Sequence, residues 1–217
     1  MIRALLALVL AALCPLVAAE SVPASPLPPP SKFFQAAAIN SLSFSPNGKY
    51  IACLVPHERR MNLAVIDLEK GVRNLLTNFK DRQATQPVWA GNNSILFRVD
   101  DEGRESFALY AVNRDGTDPS ILASGFSKAG TNDEVNTRFR SILGRIEGDD
   151  RRILVLANIT YRDWSDVATL DVVSGEMKLV VPAPGAVVYY LRDHAGDVRA
   201  AVVQDGQQRW VVLRDVK

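Results

Sequence analysis

The stretch Leu42-Ser43-Phe44-Ser45-Pro46-Asn47-Gly48-Lys49-Tyr50-Ile51-Ala52-Cys53-Leu54-Val55 joins a short apolar strand to a longer one through a polar turn. Asn and Gly suit that turn because both tolerate the positive φ of a tight hairpin. Downstream lie the turn His57-Glu58-Arg59-Arg60, the strand Leu63-Ala64-Val65-Ile66-Asp67, the turn Glu69-Lys70-Gly71 and an apolar run from Val72 to Thr77. The unit is therefore strand, turn, strand, turn, strand, turn, strand.

The same order returns twice in full and a third time without its last strand. The second unit runs through Pro87-Val88-Trp89, Ser94 to Val99, Phe107 to Val112 and Ser120-Ile121-Leu122. The third uses Ile142-Leu143, Ile153 to Ala157, Val167 to Asp171 and Met177 to Val181. The fourth has Val187 to Leu191, Val198 to Val203 and Trp210 to Leu213. First turns fall at Asn47, Asn92, Asp149 and Asp197, spaced by about 45 to 57 residues, with an insertion near Gly125 to Asn136 taking up the longest interval. Four strands in a repeat of that length mark a β-propeller blade. A β-sandwich would also give many short strands, but not this fixed four-part order. The expected fold is all-β: a partial propeller of about three and a half four-stranded blades, over residues 32–217, with blades at about 39–80, 84–124, 138–182 and 186–217. A propeller closes as a ring of four to eight blades. An incomplete one should expose blade faces and a strand edge, and so pair with another chain or aggregate.

Residues 1–19 read as a secretory signal peptide: Arg3, an apolar run from Ala4 to Val17, then small residues before Glu20. The run is about 14 residues, short of the roughly 20 that span a bilayer. Cys14 as a lipidated residue fits poorly, since the large Leu13 precedes it. Cleavage after Ala19 leaves Cys53 as the single cysteine, which excludes an internal disulfide. Its apolar surroundings suit a small buried hydrophobe better than a nucleophile. Residues 20–31 form a Pro-rich linker, followed by a short helix candidate around Lys32-Phe33-Phe34-Gln35-Ala36. With 25 Lys+Arg against 24 Asp+Glu, the chain lacks the basic footprint of a nucleic-acid binder, and no membrane association is expected after leader removal. The expected location is exported, periplasmic or extracellular.

Phe33-Phe34, the phrase from Leu42 to Ala52, Leu63 to Asp67 with Leu75-Leu76-Thr77, and Leu109-Tyr110-Ala111-Val112-Asn113-Arg114-Asp115-Gly116 together resemble the propeller of the prolyl oligopeptidase family. The relatives meant are dipeptidyl aminopeptidases and acylaminoacyl peptidases. The resemblance implies a serine peptidase whose Ser-Asp-His triad sits in a C-terminal α/β-hydrolase domain, with the propeller gating access. This sequence departs from that pattern: nothing after residue 136 alternates helix and strand around a nucleophile turn. No triad residue can be assigned, and the chain is expected to be inactive alone. A missing hydrolase domain or a second chain completing the propeller are the implied partners. TolB-type propellers also use the Ser-Pro-Asn-Gly phrase, so the alternative is a periplasmic protein-binding or scaffolding module.

Searches for chemistry leave the catalytic, cofactor and metal sets empty. Gly125-Phe126-Ser127-Lys128-Ala129 loosely matches a nucleophile elbow but leads into Gly130-Thr131-Asn132-Asp133, a loop. His57 and His194 lie in polar turns, too few and too scattered for zinc. Asn113 to Asp118 has calcium-loop character without the closing Glu. No phosphate-binding glycine loop occurs, and Trp89, Trp164 and Trp210 read as packing residues.

Overall fold

The computed structural model describes residues 28–34, 37–100, 107–123, 138–161 and 163–215. The signal peptide, most of the linker and the Gly125 to Ala129 stretch lie outside the described residues. By its internal contacts the chain divides into two units, Met1–Gln35 and Ala36–Lys217. In the first, Pro30–Phe34 forms a single 3-10 turn, slightly ahead of the helix expected around Lys32. Proline suits the opening position, having a preset φ and no amide to leave unbonded.

The second unit is built from consecutive antiparallel hairpins. β1 (Asn40–Phe44), β2 (Tyr50–His57), β3 (Arg60–Asp67) and β4 (Val72–Leu75) make one four-stranded sheet in chain order. β5 (Ala84–Ala90), β6 (Ser94–Asp100), β7 (Phe107–Asn113) and β8 (Ser120–Ala123) make the next. β9 (Arg138–Arg145), β10 (Arg152–Asn158), β11 (Asp166–Asp171) and β12 (Met177–Val181) make the third. β13 (Val187–Arg192), β14 (Val198–Asp205) and β15 (Gln208–Leu213) form a three-stranded fourth. This is the all-β, partial-propeller architecture expected from the repeats.

The middle strands carry the core because apolar residues occupy both of their faces. Ala52, Leu54, Leu63 and Val65 of the first blade pack on Trp89, Ile95, Phe97 and Val99 of the second. The opposite face of that second blade (Leu96, Leu109, Ala111, Leu122) meets Phe139, Ile153, Val155 and Ala168 of the third. Leu154 and Val167 then meet Tyr190, Ala201 and Val203 of the fourth. Period-2 alternation sends successive residues to opposite faces, so a strand sandwiched between two blades is apolar throughout. An incoming blade brings one buried aromatic on its first strand: Trp89, Phe139 or Tyr190. Two of these also bond to the preceding blade, Trp89 Nε1 donating to Ser43 O at 2.9 Å and the Tyr190 hydroxyl to Ser165 O at 2.7 Å. Burial, aided by the charge of Asp166, pushes the Tyr190 phenol up to about 12, so it stays a donor.

Buried polar hubs tie two blades to the connections that follow them. Asn62, opposite Val55, donates to Phe79 O (3.2 Å) and accepts from Phe79 N (2.6 Å) and the Thr77 hydroxyl (2.9 Å). Asp166, opposite Ala157, accepts from the amides of Ile159 (2.8 Å), Thr160 (2.7 Å) and Ala183 (2.7 Å) and from the Thr160 hydroxyl (2.7 Å). Burial raises the Asp166 pKa, but these donors outweigh it and hold the carboxyl below its ordinary value.

Candidate functional site

In each blade the turn between the first and second strands lies at the same end of the sheet. At that end the four turns border one opening of about 510 Å³, reached by Pro46, Gly91, the Arg145–Asp150 segment and the Arg192–Gly196 segment. Neighbouring turns are joined. The Asn47 amide donates to Asn92 Oδ1 at 3.0 Å, and Arg192 Nη1 to Arg145 O at 3.2 Å. Gly91 (φ 69°) passes so near the third blade that a Cβ there would lie 2.6 Å from Asp150 Cβ. Gly144 (φ 150°) leaves the space that the Arg192 guanidinium fills.

The turns are rigidified by carboxylates. Asp149 accepts from the amides of Arg151 (2.9 Å) and Arg152 (2.8 Å) and from Arg152 Nε (2.6 Å). Burial raises its pKa, but those hydrogen bonds win and leave it lowered. In the fourth turn the capping residue is Asp193 rather than the Asp197 marked by the sequence spacing. Asp193 Oδ1 accepts from the Asp197 amide at 2.9 Å, and Oδ2 from Arg199 Nε at 2.6 Å. The bond from Arg199 is the main cause of its lowered pKa. Arg145, Arg192, Glu147, Asp150 and His194 complete the lining. Among the described residues, this lining brings both charge signs to one mouth and includes no Ser, Thr or Cys nucleophile. Such a surface can hold a polar or zwitterionic chain segment by charge-assisted hydrogen bonds.

The other residues singled out by sequence are dispersed. His194 is exposed at the mouth, whereas His57 closes β2 at the opposite end of its sheet. There Glu58 and Arg59 make a two-residue hairpin with both φ positive, 46° and 69°. Cys53 is buried, and burial pushes its thiol up, partly opposed by Arg73. In the stretch from Asn113 to Asp118 the side chains satisfy one another: Asn113 Nδ2 donates to Thr117 Oγ1 (3.0 Å) and Asp118 Oδ2 (2.8 Å), and Thr117 donates to Asp115. Among the described residues no group of three or more His, Cys, Asp or Glu could hold a metal. Trp89 is a blade-junction residue, Trp164 packs against Tyr161 with the rings tilted by 50° (centroids 4.6 Å), and Trp210 is half-exposed on β15. Sequence reasoning missed Arg145 and Arg192. Their signal was their common place beside the first turn of two successive repeats.

No protein-family model and no curated protein matches the chain. Solved structures do. Dipeptidyl peptidase 4 of Porphyromonas gingivalis superposes with TM-score 0.59 at 11% identity, over 83% of this chain and 31% of that one. An oligogalacturonate lyase in complex with manganese gives TM-score 0.55 at 10% identity, over 80% and 49%. TolB from Acinetobacter baumannii is a looser match, TM-score 0.46 at 16% identity, over 81% and 40%. The chain thus spans 31% to 49% of the length of these proteins. At such identities the likeness speaks for the fold, and it defines the class: a propeller-type module of stacked antiparallel blades.

Proposed function

We propose that this chain is the non-catalytic, substrate-gating propeller portion of an exported serine peptidase of the prolyl oligopeptidase family, inactive alone. The observation that carries the reading is the mouth at the first-turn end, where Arg145, Arg192, Glu147 and Asp150 border one opening. An extended peptide offers the complementary carboxylate, amine and amide groups, and gating needs no cofactor. The family phrases from Leu42 to Ala52 and Leu109 to Gly116 supply the peptidase link. A hydrolase domain or a second chain would supply the chemistry.

The test pairs calorimetric titration with short Pro-containing peptides and an assay of peptide p-nitroanilide hydrolysis by the chain. Weak binding lost in Arg192→Ala, with no hydrolysis, is expected. Turnover by the chain alone, or binding unaffected by Arg192→Ala, contradicts the reading. A second reading, a periplasmic protein-binding or scaffolding propeller, is favoured by the exposed apolar residues on the outer blades, among them Phe44, Tyr189 and Leu213. It predicts a folded partner whose binding Arg192→Ala leaves unchanged.

A further inference from the structure

The charges around the mouth are not equally satisfied. Asp149 and Asp193 each already face an arginine, Arg152 Nε and Arg199 Nε respectively, both at 2.6 Å. Arg145, Glu147 and Asp150 stand exposed, where water weakens the pull of a charge. Arg192 differs from all of these. It is partly buried, and among the described residues no carboxylate pairs with it.

The seat of Arg192 shows how a cation comes to rest there unpaired. Gly144, on β9, has no side chain, and a Cβ at that position would lie 2.7 Å from Arg192 Cζ and 2.8 Å from Nη1. The guanidinium therefore lies against the backbone of the third blade, with Nη1 donating to Arg145 O at 3.2 Å. That carbonyl supplies a dipole but no compensating charge. A guanidinium carries five N–H donors in a planar fork that matches a carboxylate. Among the described residues, only the bond to Arg145 O engages them. A partly desolvated cation with open donors gains more from an incoming anion than an exposed one does, because attraction strengthens as the local dielectric falls.

We infer that the mouth receives a peptide by its free C-terminal carboxylate, seated on the Arg192 guanidinium. This rests on the reading of the mouth as a peptide site and says which end of the peptide it takes. An internal stretch of chain offers only neutral amides to Arg192. A free amino terminus would set a second cation beside it. The opening of about 510 Å³ has room for a short terminal segment.

The test is calorimetric titration of the full 217-residue chain with one short Pro-containing peptide in three forms: both termini free, C-terminally amidated, and N-terminally acetylated. The free and acetylated forms should bind alike, and the amide about tenfold or more weaker, the loss expected for a charge-assisted hydrogen bond. That comparison needs no variant. Arg192→Gln, which keeps a polar side chain and removes the charge, should bring the free form down to the affinity of the amide. Glu147→Gln, which removes an exposed carboxylate from the same mouth, should leave the preference for the acid intact. Acid and amide binding equally, with both lost in Arg192→Ala, overturns the inference while the peptide reading stands. Loss on acetylation in place of amidation overturns it too. Absence of binding by every form, or indifference of every form to Arg192→Ala, overturns both.

Discussion

Phe44 and Trp89 occupy the same place in successive blades and meet opposite fates. Trp89 is 1% exposed and bonded to Ser43, whereas Phe44 is 63% exposed. The blade sequence decides where an aromatic points, and the neighbouring blade decides whether it is buried. Burial of a side chain this large is worth several kcal/mol only when a second surface arrives to cover it. Phe44 therefore holds the place of a junction aromatic without the burial that stabilises Trp89.

The largest expected effect that separates the two positions is that of Trp89→Ala. Cavity formation and the lost bond to Ser43 should cost about 3–5 kcal/mol in urea unfolding. A loss below about 1 kcal/mol would mean that the first two blades are not packed as described. Next comes Asp166→Ala, which leaves three amides and a hydroxyl without an acceptor and should cost about 3 kcal/mol. The exchange Asn62→Asp should also destabilise, because it sets a carboxylate against the carbonyls that Asn62 now donates to.

The Asp166 carboxyl supplies a pH signature. Its folded pKa is lowered, so its contribution is complete above the unfolded value of about 3.9 and is lost as pH falls through the folded value. Between the parent and Asp166→Asn, the stability gap should be constant near neutrality and narrow below about pH 4. A gap that stays constant into acid would contradict the hydrogen-bonded carboxylate. The smallest effect is that of Phe44→Ala, within about 0.5 kcal/mol in urea unfolding, because the ring is largely exposed.

Much of this fold was legible in the sequence, because apolar alternation and Asx-Gly turns are local signals. The segments from Tyr50 to Val55, Ser94 to Val99 and Ile153 to Ala157 became β2, β6 and β10 within a residue or two. What escaped depends on neighbours distant in the chain. Asn62 and Asp166 look like polar residues at strand starts, and their role exists only because Phe79 and Ala183 return to them. Gly144 reads as an ordinary glycine until Arg192 fills the space beside it. Asp193 and Asp197 offer the same chemistry four residues apart, and only the hydrogen bond shows which one caps the turn. The charged mouth was hidden for the same reason: its turns are separate in sequence and converge only when the blades stack.

The central claim is that successive blades stack through the apolar faces of their middle strands, with Trp89 seated on the first blade. It is tested most directly by the fluorescence of Trp89 in a background where Trp164 and Trp210 are replaced by phenylalanine. The account predicts blue-shifted emission shielded from iodide, matching the 1% exposure of Trp89. Red-shifted emission that iodide quenches freely would contradict it.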